Sequence, residues 1–369
     1  MSTIAGVTGD ERVDAATSHW AARFVGNGTD FVDFQTTLAR IGSWDEWCAE
    51  WGRTGEVYEA LAREAEDRGR AVTAGEAWRR AALCWHWGKF VFVDYPDQLR
   101  AAHDRAVACY SRGLDTLTPP AQRVEIPYGG TVLPAYLRVP AAGSPPPVVI
   151  MAPGLDSVKE ELQATAEYFL RRGLAILAVD GPGQGESEFS LPIEPAYERV
   201  AGAAVDYLQT RTEIDAQRIG LFGVSLGGYY AARSAAYEPR LRAVVALAGP
   251  YRFDLDWDTL PPQTRATFQR RSGAADPDEA RQRAATLTLE DAAGQIRGPL
   301  LVVHGRLDRL VPPHHAERLM AEAQGAELLM YDDGNHGVTN HAFGSRSAMA
   351  DWLAEHLDEH RDEHRVATG

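Results

Sequence analysis

Residues 220–230 read GLFGVSLGGYY and place Ser225 between two glycines, in the pattern Gly-x-Ser-x-Gly. Because glycine makes up 34 of the 369 residues, the five letters alone can arise by chance. A strand-like apolar run over 219–222 precedes the serine, however, and the helix-forming run YYAARSAA follows it. A tight strand-to-helix turn of this kind presents a serine hydroxyl at the start of a helix. The context therefore predicts that Ser225 is a nucleophile.

The alternation of strand and helix extends through the last two thirds of the chain. Two short strands, at 123–127 and 132–139, are predicted around a hairpin turn. Uninterrupted apolar runs, each followed by a turn and a helical segment, then recur at 148–152, 175–179, 219–222, 243–247, 300–303 and 328–331. Such runs are typical of strands buried on both faces. We therefore predict an α/β fold, a mostly parallel sheet with helices on both faces.

The first third of the chain contains no strand-like apolar run. We therefore predict an all-helical domain over 1–120, followed by a catalytic domain over 121–369. Apolar residues recur there at helical spacing, in the sets Trp44, Trp47, Cys48 and Trp51, and Trp78, Ala81, Ala82, Trp85 and Phe92. We interpret most of these aromatic residues as core, with the alternative that some line a pocket facing the second domain. A further helix is predicted over 97–117. In the second domain, a polar insertion at about 250–297 predicts short helices near the mouth of a site.

A serine nucleophile needs a base, and the base needs an acid that orients it. In an open parallel sheet, ligands bind at the carboxyl ends of the strands. Asp308 follows the strand at 300–303, and His336 follows the strand at 328–331. The chain order Ser225, Asp308, His336 is that of the α/β-hydrolase fold. We predict that these three residues form the catalytic set.

Other residues near the strand ends are weaker candidates. His304 and His341 are alternatives for the base, while His314 and His315 open a helix and are expected at the surface. Alternatives for the acid follow the preceding strand, at Asp254, Asp256 and Asp258.

An acyl-transfer site also needs two donors for the oxyanion. We expect one to be the backbone N–H of Leu226, which follows the nucleophile. The other should come from the loop after the first parallel strand, at 152–157. Gly154 lets that backbone turn an amide inward, so the N–H of Leu155 is the predicted donor.

Composition and spacing argue against several other functions. The net charge of −15 disfavours a nucleic-acid partner. No apolar run is long enough to cross a bilayer and the N-terminus lacks a secretory signal, so we expect a cytoplasmic protein without a membrane partner. The three cysteines lack metal-ligand spacing and are expected to be buried.

Two further patterns are interpreted as structural. GPGQG at 181–185 lacks the Lys-Ser/Thr ending of a phosphate loop, so we interpret it as a turn after a strand. His356, His360 and His364 have helical spacing but lie in a charged terminal run, which is typical of a solvated helix face. The sequence therefore predicts neither a metal nor a cofactor.

GVSLGG, HGRLDRLVP and GNHG resemble the motifs of the α/β-hydrolase superfamily over about 123–355. A narrower resemblance rests on AGEAWRRAALCWHWGKF, APGLDSVKEE and SAAYEPRLRAVVALAGPYRFDLDW. It points to the group that contains 2,6-dihydroxypseudooxynicotine hydrolase and the related C–C hydrolases that shorten polyketide chains. This resemblance implies hydrolysis of a C–C bond next to a ketone, a helical cap domain over the active site and a homodimer. It also implies a further acid near the substrate, for which Asp256 is a candidate.

The residues themselves leave the reaction open. An acyl-enzyme on Ser225 serves C–C cleavage of a 1,3-dicarbonyl or aryl ketone. It equally serves hydrolysis of a small-molecule or polyketide ester, or acyl transfer to an acceptor. A remote alternative is an inactive binding protein on the same fold, against which the complete set of Ser225, Asp308 and His336 argues.

Overall fold

The structure, a computed structural model, describes residues 8–367, with side chains described up to residue 358. Residues 1–7 of the predicted helical domain and the side chains of His360 and His364 lie outside the described residues. The chain divides into two compact units, Met1–Ala121 and Gln122–Gly369.

Helices build the first unit. They are α1 (Glu11–Gly26), α2 (Phe31–Leu38), α3 (Trp47–Asp67), α4 (Ala71–Lys89) and α5 (Pro96–Arg112), with single 3-10 turns at Trp44–Glu46 and Leu114–Thr116. The side chain of Asp10 accepts a hydrogen bond from the backbone N–H of Arg12 and so caps α1. The helix predicted over 97–117 ends earlier, at Arg112, because Gly113 closes it and a 3-10 turn follows.

Aromatic side chains form the core of the first unit. Trp44, Trp47 and Trp51 are fully buried, and Phe24 stacks on Trp87 with the ring centroids 4.1 Å apart. Trp44, Trp47 and Trp51 are thus core residues, as their helical spacing predicts. The three cysteine thiols are buried as well, and burial raises the pKa values of these thiols, to about 11 in the case of Cys48.

An eight-stranded sheet forms the centre of the second unit. Its strands are β1 (Ala121–Tyr128), β2 (Thr131–Arg138), β3 (Val148–Ala152), β4 (Ala175–Val179), β5 (Ile219–Val224), β6 (Leu241–Leu247), β7 (Leu300–Gly305) and β8 (Glu327–Tyr331). The spatial order is β1-β2-β4-β3-β5-β6-β7-β8. β2 pairs with β4 antiparallel, and the five pairs from β4 to β8 are parallel. The predicted, mostly parallel sheet is confirmed.

Helices cover both faces of this sheet. The helices of the second unit are α6 (Gln163–Leu170), α7 (Glu198–Leu208), α8 (Leu226–Tyr237), α9 (Pro262–Ser272), α10 (Pro277–Ala285), α11 (His314–Glu322) and α12 (Ala342–Ala367). On one face, α6 and α12 bury Phe169 and Leu353 against Met151 and Phe222 of the central strands. On the other face, α8 packs against β5 and β6, and α7 packs against α8. The short helices α9 and α10 lie in the connection between β6 and β7.

β8 departs from the expected burial. Its apolar run predicts a strand buried on both faces, but Leu328 is 41% exposed. β8 is the last strand in the sheet order and has a neighbour on one side only, so it is shielded less than the central strands. Among the helices of the described part of the chain, none combines the length and apolar character needed to span a membrane.

Candidate active site

Ser225 lies at the turn between β5 and α8, in a backbone conformation that few non-glycine residues adopt. Its φ of 59° and ψ of −123° place it in the left-handed half of the backbone map. The turn is tight, because a Cβ atom on Gly223 would lie 1.8 Å from the carbonyl oxygen of Gly227. Glycine is therefore required at position 223 for the strand to turn directly into the helix with the serine between them.

The structure brings the three predicted side chains together. His336 Nε2 lies 2.9 Å from Ser225 Oγ, and His336 Nδ1 lies 2.7 Å from Asp308 Oδ2. Asp308 Oδ1 accepts the backbone N–H groups of Leu310 and Val311, each at 2.9 Å. Since an ionised carboxylate only accepts hydrogen bonds, His336 Nδ1 carries the proton of that ring. This tautomer leaves a lone pair on Nε2, directed at the Ser225 hydroxyl.

The surroundings of Asp308 keep it ionised. Burial by itself would raise the pKa of its carboxyl, because a charge is disfavoured away from water. The neighbouring imidazole of His336 and the backbone N–H of Val311 outweigh that effect and lower the pKa. Asp308 therefore remains an acceptor that can orient His336.

The alternative bases and acids have other partners. His304 Nε2 lies 2.8 Å from the carbonyl oxygen of Val311, and His341 Nε2 lies 2.6 Å from a carboxylate oxygen of Asp333. Of the alternative acids, Asp254 forms an ion pair with Arg252, and Asp258 forms one with Arg281. None of these contacts engages the Ser225 hydroxyl.

Asp256 belongs to a cluster of titratable side chains that sequence reasoning missed. Its Oδ2 lies 2.8 Å from His315 Nε2 and 3.0 Å from His314 Nε2. His315, expected at the surface, is buried because it is held between Asp256 and the backbone N–H of Tyr251. The cluster could have been predicted from the order of the strands, because Asp256 follows β6 and the two histidines follow the neighbouring β7.

The three side chains offer the ligand set of a metal site, but the hydrogen bonds argue against one. The Tyr251 N–H lies 3.1 Å from His315 Nδ1, so Nδ1 accepts and the ring proton is on Nε2. A protonated Nε2 donates to Asp256 and has no lone pair for a metal. Burial also lowers the pKa of His315 to about 4, so the ring is neutral near pH 7.

A second group of carboxylates surrounds a buried lysine. Lys159 Nζ lies 2.7 Å from Glu160, 2.8 Å from Asp180 and 2.7 Å from Glu186. The three acids have the spacing of a metal site, but the ammonium group already occupies its centre. Burial would lower the pKa of Lys159, and the surrounding carboxylates raise it well above its usual value. This cluster therefore connects the loop after β3 to the loop after β4.

Two backbone segments that contain the predicted oxyanion donors lie next to Ser225 in the structure. Leu226 is the first residue of α8, so its N–H is one of the amides that a helix start leaves without an intrahelical partner. On the other side, a Cβ atom placed on Gly154 would lie 3.1 Å from Ser225 Cβ and 3.6 Å from Ser225 Oγ. The backbone at Gly154, which precedes the Leu155 N–H, therefore borders the hydroxyl.

A serine at a strand-to-helix turn of a parallel sheet, with an acid and a histidine after the following strands, defines the α/β-hydrolase class. The model of the FrsA-like esterase family matches residues 30–258, and that of the prolyl oligopeptidase family matches residues 161–360. The chain belongs to the α/β-hydrolase family and is a hydrolytic enzyme.

Individual relatives agree with this assignment. The chain is 36% identical to 2,6-dihydropseudooxynicotine hydrolase of Paenarthrobacter nicotinovorans over 311 residues, 83% of either chain. The crystal structure of 2,6-dihydroxy-pseudo-oxynicotine hydrolase superposes with a TM-score of 0.85 at 33% identity, covering 91% of this chain and 95% of that one. The 20-hydroxy-prefusarin hydrolase of Gibberella moniliformis is 33% identical over 239 residues, 60% of this chain and 57% of its own. The resemblance drawn from the sequence motifs is confirmed.

Proposed function

We propose that this enzyme is a serine hydrolase that forms an acyl-enzyme on Ser225. The observation that carries the proposal is the hydrogen-bonded chain from Ser225 through His336 to Asp308, with distances of 2.9 and 2.7 Å. Both distances are within reach for proton transfer. Asp308 orients the ring of His336 and stabilises the imidazolium that forms when Nε2 takes the serine proton.

In the proposed reaction, Ser225 Oγ attacks a substrate carbonyl while its proton moves to His336 Nε2. The N–H groups of Leu155 and Leu226 donate to the oxyanion. Collapse of the tetrahedral intermediate expels the leaving group, which takes the proton from His336. A water molecule, deprotonated by His336, then attacks the acyl-enzyme, releases a carboxylic acid and restores Ser225.

We further propose that the bond cleaved is a C–C bond next to a ketone, in a 1,3-dicarbonyl or an aryl ketone. The leaving group is then a carbanion, stabilised as an enolate or by the aryl ring, and His336 protonates it at carbon. Support comes from the relatives, since the hydrolase of dihydropseudooxynicotine matches this chain over 83% of both sequences. The resemblance of the two chains also extends to the fold, with a TM-score of 0.85 to the solved hydrolase.

Ester hydrolysis is the second candidate, favoured by the match of residues 30–258 to the FrsA-like esterase family. The same residues serve it, because only the leaving group changes, from a carbanion to an alkoxide. Acyl transfer to an alcohol or an amine would use the same acyl-enzyme.

A substrate panel separates these reactions. We expect the wild-type enzyme to cleave an aryl 1,3-diketone into a carboxylic acid and a ketone, with one oxygen atom from ¹⁸O-labelled water in the acid. Ser225→Ala should abolish this activity, whereas Ser234→Ala, a change of a buried serine on α8 that bonds the carbonyl oxygen of Tyr230, should preserve it. Turnover of aryl esters with no cleavage of diketones would contradict the C–C proposal and support the esterase alternative.

A further inference from the structure

The loop after β4 reaches the backbone beside Ser225 through one fully buried side chain, that of Gln184. Its Nε2 donates to the carbonyl oxygens of Pro153 and Gly154, the latter at 3.2 Å. Its Oε1 accepts the backbone N–H of Gly181 at 3.2 Å, which sets the orientation of the amide. The side-chain NH₂ group of Gln184 therefore donates to two successive carbonyl groups of the loop that contains Leu155.

A second buried side chain holds the next carbonyl of the same loop. Arg271, at the end of α9, donates to the carbonyl oxygen of Leu155. Its charge is balanced by Glu188, which lies 2.6 Å away and is buried as well. Three successive carbonyl groups, at residues 153, 154 and 155, thus accept hydrogen bonds from side chains of two separate segments.

The contact of Gln184 with the Gly154 carbonyl fixes the direction of the amide that the proposed reaction needs. In a planar trans peptide the C=O and N–H groups point in opposite directions. A donor on the Gly154 carbonyl therefore also sets the direction of the Leu155 N–H. Oxyanion stabilisation depends on that direction, because a donor must lie within about 2.7–3.1 Å of the developing charge.

We propose that Gln184 is a positioning residue that aims the Leu155 N–H at the oxyanion formed on Ser225, and that Arg271 supports it by holding the next peptide, between Leu155 and Asp156. This inference rests on the proposed acyl-enzyme function, and neither side chain has to touch the substrate. It gives a role to the GPGQG stretch, in which Gly185, at a φ of +47°, winds the loop so closely around Asp180 that a Cβ atom would overlap its carboxylate. It also explains why the connection between β6 and β7 delivers an arginine to the interior.

The test compares Gln184→Met, which keeps the length of the side chain and removes its donors, with Ser187→Ala. The matched control removes a buried hydrogen bond in the same loop, from Ser187 Oγ to the carbonyl oxygen of Asp180, and does not touch residues 153–155. With an aryl ester as substrate, we expect Gln184→Met to lower kcat by about 10- to 100-fold. This loss is smaller than that caused by removing an oxyanion donor altogether, because the Leu155 N–H is misdirected and not lost. KM should stay within about twofold, and Ser187→Ala should keep kcat within about twofold.

A transition-state analogue provides the second readout. Phenylboronic acid adds to Ser225 Oγ through boron and forms a tetrahedral anion, and the serine proton moves to His336. Its inhibition constant should rise in Gln184→Met by the same factor by which kcat/KM falls. Arg271→Lys, which keeps the charge opposite Glu188 and one donor, should retain more activity than Arg271→Met.

Several results would overturn the inference. They are a kcat of Gln184→Met within twofold of the wild type, an effect confined to KM, and an equal loss of kcat in Ser187→Ala. Labelling of the wild-type enzyme by a fluorophosphonate separates this failure from failure of the proposed function. If Ser225 is labelled and Gln184→Met is fully active, only the positioning role is wrong. If Ser225 is not labelled, the acyl-enzyme proposal fails first.

Discussion

Replacing Asp308 with asparagine should reverse the tautomer of His336 while changing almost no volume. Asp308 Oδ1 accepts two backbone N–H groups, from Leu310 and Val311, both at 2.9 Å. In Asp308→Asn the amide oxygen must occupy that position, because an NH₂ group there would oppose two donors. The NH₂ group would then face His336 Nδ1 at the position of Oδ2. Since NH₂ is a donor, Nδ1 has to accept and the ring proton moves to Nε2, where it blocks transfer from Ser225.

The expected loss follows from this wrong tautomer. We predict that Asp308→Asn lowers kcat by about 10⁴-fold, equivalent to about 5.5 kcal/mol in the activation free energy. The assay is steady-state hydrolysis of an aryl ester near pH 7, with thermal unfolding measured in parallel. Asp258→Asn, which loses only an exposed ion pair with Arg281, should stay within about twofold of the wild type. A folded Asp308→Asn enzyme with kcat within tenfold of the wild type would refute the orienting role of Asp308.

Three further predictions concern stability. Gly223→Ala should lower the free energy of unfolding, measured by urea titration, by about 3 kcal/mol, because the new Cβ would clash with the backbone of Gly227. Gly294→Ala is the control and should change the free energy of unfolding little, because no atom lies within 4 Å of the new Cβ. Lys159→Met should lower the free energy of unfolding by about 3–5 kcal/mol, because it leaves buried carboxylates without their counter-charge. An unchanged urea midpoint would show that these buried ion pairs do not stabilise the fold. Burial opposes ionisation of Glu186, but Arg123 and Lys159 outweigh burial and lower its pKa from 4.5 to about 2. The stability from this shift is therefore present above about pH 4.5 and lost as pH falls towards 2. In Arg123→Met, the free energy of unfolding should fall less steeply between pH 6 and pH 2.5 than it does in the wild type.

The parts of the fold that sequence predicts well are those whose signals are local. β3 and β4 begin and end at the predicted residues, because each is an uninterrupted apolar run between turn residues and is buried on both faces. Ser225, Asp308 and His336 could be predicted because each follows a strand whose carboxyl end lies at the same edge of the sheet. β8 carries a similar run, but its exposure depends on its place in the sheet order, which no local pattern gives.

What the sequence did not predict are contacts between polar residues far apart in the chain. Gln184 and Arg271 lie in stretches that are typical of turns and solvated helices, yet both are buried. Their burial depends on partners, the carbonyl groups of residues 153–155 and the carboxylate of Glu188, that only the folded chain supplies. The same holds for His315, whose burial depends on Asp256 and Tyr251.

The proposed mechanism requires that His336 activates Ser225 as a nucleophile. Mass spectrometry of the folded enzyme after reaction with a fluorophosphonate detects this activation at the residue itself. We expect a single phosphonyl adduct on the peptide that contains Ser225, no adduct in Ser225→Ala and labelling at least 100-fold slower in His336→Ala. Folded wild-type enzyme that stays unlabelled, or equal labelling of Ser225→Ala, would show that Ser225 is not the activated nucleophile.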